Sequence, residues 1–434
     1  MIMSPVATAS SRGQEILHAL GDRFQAADHN CQQAVAAIIE QVRQRGDEAL
    51  VEYTRKFDAP AFNSDQLRVS EAEIEAAYTA VSVEFRADLE LAWERISQFH
   101  QREREQSWLL TRDDGVITGR LVRPVDAAGI YVPGGQGGST PLVSSVLMGG
   151  VPAAIAEVPR RVMMTPPDAQ GRVHPALLVA ARRVGISEIY KAGSAWAVAA
   201  LAHGTATVPP VDVIVGPGNQ YVTEAKRQVA GRVRIDMIAG PSEILVIADG
   251  GANPAHVAAD LLGQAEHDPQ ALAMCICTEE ALAREIAAEV ERQLPQLERA
   301  AIAGQALEQR GVLLVAAELA EAIELANRIA AEHLELMIAE PFNWLASIRH
   351  AGAIFLGSHT PEAAGDYLAG PNHVLPTMGT ARFSSALGVE TFVKKSSLIS
   401  YTPAALAADL PAIDRLARLE GLTGHARSAT IRTA

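Results

Sequence analysis

The 434 residues carry 48% apolar and 20% charged side chains, the balance of a globular protein, and the length exceeds what one ordinary hydrophobic core supports. A formal net charge of −14, with no Lys/Arg cluster to set against a phosphate backbone, excludes nucleic acid and an anionic membrane as main partners and favours small polar or cationic ligands. Three cysteines (Cys31, Cys275, Cys277) cannot make a disulfide framework; apolar stretches are broken by Gly or Pro before spanning length, and MIMSPVATASSRGQ lacks a basic-then-apolar signal, so a cytoplasmic location is expected.

In chain order, helices come first. Residues 31–57 read as two helices broken at Gly46-Asp47, Ser70 with Glu73 forms a capping box ahead of another, and 83–105 is a long amphipathic helix. From about residue 115 the pattern changes to apolar runs alternating with helical stretches. The runs are GIYV (129–132), RVMMT (161–165), EIYKAG (188–193) and VDVIVG (211–216), then EILVIAD (243–249), ALAMCICT (271–278), GVLLVAA (311–317) and AIFLG (353–357). Such alternation predicts parallel βαβ units, hence an α/β fold of two similar open, mostly parallel, incomplete Rossmann-like units with an N-terminal helical segment and a C-terminal arm. The expected divisions are a tail and helix at 1–28, helices at 29–125 packing with 241–385, an α/β unit at 126–240, a second at 241–385, and a less regular arm at 386–434.

Glycine-rich turns follow strands at YVPGGQGGSTP (131–141) and VGPGNQY (215–221), where missing side chains let backbone amides approach a phosphate. Neither is G-x-G-x-x-G; turn geometry alone accounts for each as well as a ligand does, and together they make a dinucleotide a reasonable ligand. In NPAHVAADLLGQAEHD, Asn253 caps a helix that places Gln264 and His267 three apart on one face, the spacing two ligands of one ion need. Residues 360–383 crowd Asp366, His373, three glycines and three prolines into a segment with neither helix nor strand periodicity, the composition of a loop that holds functional groups. Glu420 and His425 stand in EGLTGHARS. Imidazole nitrogens with amide and carboxylate oxygens suit zinc, or manganese or cobalt, better than magnesium or calcium. In AEHLEL (331–336), Glu332 and His333 are expected to close a helix, where neighbours can line one pocket.

AGPSEILVIAD (239–249), LLGQAEHD (261–268), AEHLEL, TPEAAGDYLAGPNHVLPT with ARFSS after it, and EGLTGHARS together resemble the histidinol dehydrogenase family, in the family's order and from about residue 31 to 428. The resemblance implies oxidation of L-histidinol through L-histidinaldehyde to L-histidine with two NAD+, the last steps of histidine biosynthesis. It implies one zinc per subunit on Gln264, His267, Asp366 and His425, and a catalytic pair in Glu332 and His333. Ser242, His373 and Glu420 match substrate contacts, joined by the metal ligands and His333, and Tyr131 and Asn219 match dinucleotide contacts. It further implies a homodimer whose active sites are shared through the arm. Two departures fall in the cofactor unit: Trp196 stands in SAWAVAALA, at the dinucleotide position where many members have Gln, and the turn after Tyr131 is longer and richer in glycine. Rival readings are a same-fold NAD-dependent dehydrogenase of another polar alcohol, such as a sulfonated diol, and a non-catalytic zinc-binding protein.

Overall fold

The computed structural model describes residues 2–23, 29–134 and 140–433. Its strands are β1 (Val6–Ala7), β2 (Trp108–Thr111), β3 (Ile117–Pro124), β4 (Ala127–Tyr131), β5 (Arg160–Thr165), β6 (Glu188–Lys191) and β7 (Val213–Val215). They continue as β8 (Arg234–Ile235), β9 (Glu243–Ala248), β10 (Leu272–Cys277), β11 (Val312–Val315), β12 (His333–Met337), β13 (Ala353–Leu356) and β14 (Val393–Ser400). One parallel sheet runs β6-β5-β4-β7-β8 and a second runs β1-β11-β10-β9-β12-β13. This is the α/β architecture expected. Helices cover both faces, which is why β9, β10 and β12 are buried along their whole length rather than alternating.

The N-terminal helices pack differently from the expectation. Residues 29–100 lie on the first sheet, not on 241–385: Val35, Leu50 and Phe62 share one core with Trp196 and Val222, while Ile74, Leu89 and Ile96 share another with Val151 and Leu178. The reason lies in the helices beneath. Ala195 through Leu201 and Val146 through Ala153 are buried without interruption, so the helices Ser194–His203 and Val143–Ile155 need a second apolar layer outside them. The Ser70/Glu73 capping box forms as expected, with Ser70 N–H to Glu73 Oε2 at 2.9 Å and Glu73 N–H to Ser70 Oγ at 3.3 Å. The first residues join the second sheet, β1 as an edge strand and the helix Ser11–Gly21 against Leu319–Ile329.

The C-terminal arm is more regular than expected. Pairing of β14 with β3 is antiparallel over eight residues, β2 completes a three-stranded sheet, and helices Pro403–Leu419 and Thr423–Thr430 follow. The sequence shows little periodicity there because these elements are mostly exposed, so no buried face imposes one.

Trp196 is a core residue. Its ring is 4% exposed and stacks against both Tyr53 (centroids 5.6 Å) and Phe57 (5.4 Å), fastening the helix Asp47–Phe57 to Ser194–His203. An indole buried against two rings serves the packing of these helices. Trp196→Gln removes most of that packing and should cost about 3 kcal/mol. We expect a lowered thermal midpoint with the NAD+ KM within twofold of the parent; an unchanged midpoint with a shifted KM would contradict the packing role.

Candidate active site

The functional residues converge at the amino edge of the second sheet. The helix Leu319–Ile329 stops at Ala330, which is left-handed (φ 50°), so Glu332 and His333 do not end a helix as expected; His333 instead opens β12, paired in register with Ile244 of β9. Both side chains are anchored on one peptide neighbour. Glu332 Oε2 accepts the Glu243 N–H at 2.8 Å, and His333 Nδ1 donates to the Glu243 carbonyl at 2.9 Å. That second bond assigns the tautomer: the proton is on Nδ1 and the lone pair on Nε2, which is buried without a partner.

Facing this pair is a group of potential ligands. The helix Pro254–Ala265, capped by Asn253 Oδ1 on the Ala255 N–H (2.9 Å), brings Gln264 to the sheet edge, and the His267 N–H donates to the Gln264 carbonyl (3.3 Å) just beyond it. The short helix Glu362–Tyr367 places Glu362 and Asp366 one turn apart. Ligand atoms of His267, Glu362 and Asp366 all lie within 4.8 Å of one another. Sequence reasoning missed Glu362, although the i, i+4 carboxylates of PEAAGD are a readable signal once that segment is taken as helix. Gln264 is fully buried beneath the group; with its amide oriented to satisfy both neighbours, the nitrogen donates to Glu362 Oε2 (3.3 Å) and the Glu243 carbonyl (3.2 Å). His373 Nδ1 lies 3.6 Å from Asp366 Oδ1. Its loop is tied to the first unit, where Asn372 Nδ2 donates to the Met148 carbonyl (2.8 Å) and Gly240 N–H reaches back to Thr377 Oγ1 (2.6 Å).

Burial dominates the electrostatics. It pushes the Glu332 carboxyl well above the usual range, reinforced by the carboxylates of Glu243, Glu362 and Asp366, and it does the same to Glu362 beside Asp366 and Asp260. His333 is drawn down to about 4, mainly by burial against the opposing pull of Asp366. Asp366 runs the other way: burial would raise it, but the His373 hydrogen bond and the nearby imidazoles hold it below its ordinary value. The Glu332 and Glu362 carboxyls, raised chiefly by burial, stand beside His333 Nε2 and His373 Nε2, both buried without partners, an arrangement suited to a cation and a polar ligand. A divalent ion therefore fits the donor set.

Not every expected residue gathers here. Ser242 precedes β9 and is half-buried, its carbonyl accepting the Leu272 N–H (3.0 Å). Glu420 and His425 are exposed on the arm and stand outside the ligand cluster. Tyr131 and Asn219 belong to the first unit, at the carboxyl ends of β4 and β7, the edge at which open α/β sheets hold their ligands. The Ser194 N–H donates to Tyr131 Oη (3.0 Å), and Asn219 Oδ1 caps the helix Gln220–Val229. Gly216 has φ 120°, and a Cβ there would lie 2.0 Å from the Tyr131 carbonyl oxygen, so this edge admits only a bare backbone. Residues 135–139 of the glycine-rich turn 131–141 lie outside the described residues.

The histidinol dehydrogenase family profile matches residues 22–433. The chain is 62% identical over 432 residues, all of both chains, to the histidinol dehydrogenase of Desulfotalea psychrophila, and 53% identical over 405 residues (93% of each) to that of Nitratidesulfovibrio vulgaris. The crystal structure of histidinol dehydrogenase from Elizabethkingia anophelis superimposes with a TM-score of 0.92 at 39% identity, covering 99% of this chain and 98% of that one.

The ligand cluster yields a direct expectation. Glu362→Gln keeps the shape of the side chain but removes an anionic donor, and should weaken zinc binding by about 10–100-fold in titration calorimetry of chelator-stripped protein. An affinity equal to the parent's would remove Glu362 from the ligand shell.

Proposed function

Because the chain belongs to the histidinol dehydrogenase family, we propose that it oxidises L-histidinol through L-histidinaldehyde to L-histidine with two NAD+, using Glu332 and His333 as its catalytic pair. The observation that carries the reading is the pair of unpartnered imidazole nitrogens, His333 Nε2 and His373 Nε2, beside a cluster able to hold a divalent ion. Gln264, His267, Asp366 and His425, with Glu362 alongside, would hold a zinc ion, whose positive charge would fix the imidazole and amine nitrogens of the substrate.

The proton chemistry follows from the environment of the pair. With a pKa near 4, His333 is neutral at pH 7, and the Nδ1 bond to the Glu243 carbonyl leaves Nε2 facing the ligand space as a base. It takes the hydroxyl proton of histidinol as hydride leaves the same carbon for NAD+, giving the aldehyde. Burial raises the Glu332 pKa, and in its ionised form, which a divalent ion in the neighbouring cluster would favour, Glu332 takes a proton from water as the oxygen adds to the aldehyde. His333 then takes a hydroxyl proton of the hydrate as the second hydride leaves. Ser242, His373 and Glu420 are the further substrate contacts, and Tyr131 and Asn219, at the carboxyl edge of the first sheet, are the dinucleotide contacts.

The arm supports a homodimer with shared sites. Ile399, Leu416, Leu419 and Ile431 are each more than 60% exposed on it, an apolar surface that a second subunit would cover. Glu420 and His425 would then complete the site of the other subunit. Histidine biosynthesis in the cytoplasm suits a chain in which, among the described residues, no helix is long and apolar enough to cross a membrane.

Two experiments test this reading. Glu332→Gln should slow histidinaldehyde oxidation by about 100-fold or more while affecting histidinol oxidation far less, whereas His333→Asn should slow both steps; equal losses on the two substrates for Glu332→Gln would remove its water-activating role. Mixed dimers reassembled from Asp366→Ala and His425→Ala subunits contain one site with both defects and one with neither, so random pairing should restore up to about a quarter of parental activity. Demonstrated mixed dimers that remain inactive would confine His425 to its own chain.

A further inference from the structure

Arg23 lies outside every motif singled out above, yet its guanidinium is buried at the back of the catalytic pair. Nε donates to Glu243 Oε1 (2.7 Å) and an Nη donates to Glu243 Oε2 (2.8 Å), a bidentate pair with both side chains almost wholly buried. The other Nη donates to the Leu20 carbonyl (2.7 Å) at the end of the helix Ser11–Gly21, and a longer contact reaches the Ala330 carbonyl (3.4 Å). Glu243 is the residue whose N–H holds Glu332 and whose carbonyl holds His333, and Ala330 is the left-handed residue from which the chain turns into both. One guanidinium thus grips the chain on each side of the pair.

We infer that Arg23 is a positioning residue for the oxidation: through the Glu243 side chain it fixes the Glu243 peptide, and through that peptide the orientation of Glu332 and the tautomer of His333. This rests on the reading of Glu332 and His333 as the catalytic pair. Two physical points favour it over simple docking of the N-terminal helix. An apolar pair of equal volume would hold that helix at little or no cost in stability, so a buried ion pair is not needed for docking alone. The planar fork also fixes the direction of the Glu243 side chain, which a lysine ammonium cannot do.

The test uses full-length protein, with kcat and KM for L-histidinol and the thermal midpoint measured together. In Arg23→Met/Glu243→Met the buried charges leave as a pair. We expect a midpoint close to the parent's, a KM within twofold, and kcat reduced about 10–100-fold, the range that small misplacement of reacting groups produces. Arg23→Lys, which keeps the charge and loses the fork, should show a smaller loss of the same kind and decides the matter should the double variant not fold. In a Glu332→Gln background, the effect of Arg23→Lys on histidinaldehyde oxidation should shrink, because the group being positioned is already disabled. A folded Arg23 variant with kcat within twofold of the parent, or losses fully additive with Glu332→Gln, would reduce Arg23 to a docking residue. Parental protein inactive on histidinol, or Glu332→Gln and His333→Asn both fully active, would instead overturn the assignment of the pair, and this inference with it.

Discussion

Glu243, Glu332, Glu362 and Asp366 bring four carboxyls out of water at one end of a parallel sheet, and much of the second unit answers that crowding. Two unit charges 4 Å apart interact by roughly 4 kcal/mol even at an effective dielectric of 20, so the four cannot all ionise unaided. Each finds a different solution. Glu243 takes the guanidinium of Arg23, Asp366 takes the imidazole of His373, and Glu332 and Glu362 are driven toward their neutral forms. A dication among His267, Glu362 and Asp366 is the one addition that would settle the remaining negative charge without further protons.

The two units use opposite edges of similar sheets. In the first, the groups of interest stand at the carboxyl ends of β4 and β7; in the second, they stand at the amino ends of β9 and β12. Residues 236–242 connect these edges directly, and Thr223 Oγ1, on the helix that Asn219 caps, donates to the Ala239 carbonyl (3.0 Å) within that connection. A short chain segment therefore sets the register between the region proposed for the cofactor and the catalytic pair, and Ser242 ends it.

The sequence disclosed the α/β alternation because fully buried strands such as ILVIA and LAMCIC read as uninterrupted apolar runs. It concealed β12 because His333 and Glu335 interrupt HLELM, and charge in a central strand mimics a helix end. The sheet carrying β2, β3 and β14 was hidden for the opposite reason: exposed strands such as WLLT show no buried-face alternation. Local chemistry was legible, as the Asn253 and Ser70 caps and the Gln264/His267 spacing show. Packing partners were not. Periodicity says that a helix has an apolar face, but not which sheet will receive it, which is why the packing of helices 29–100 on the first sheet is not legible in the sequence. Asp366 was visible as a loop carboxylate while Glu362, one turn away, was not, because the turn of helix joining them is only six residues long.

The second sheet is discontinuous in the chain. Its edge strand β1 and the helix Ser11–Gly21 leave the ribosome first, then the whole first unit is made before β9 appears. Arg23 and Glu243 are 220 residues apart, an interval of roughly 10–45 s at ordinary rates of synthesis. During that time the first sheet, whose five strands all fall between residues 127 and 235, can form, while the N-terminal helix waits with its apolar face and arginine uncovered. Closure of the second sheet is thus a late, long-range event, and the catalytic pair gains its support only when the two ends of that loop meet. Nascent chains stalled before β9 should consequently be the species most in need of a chaperone.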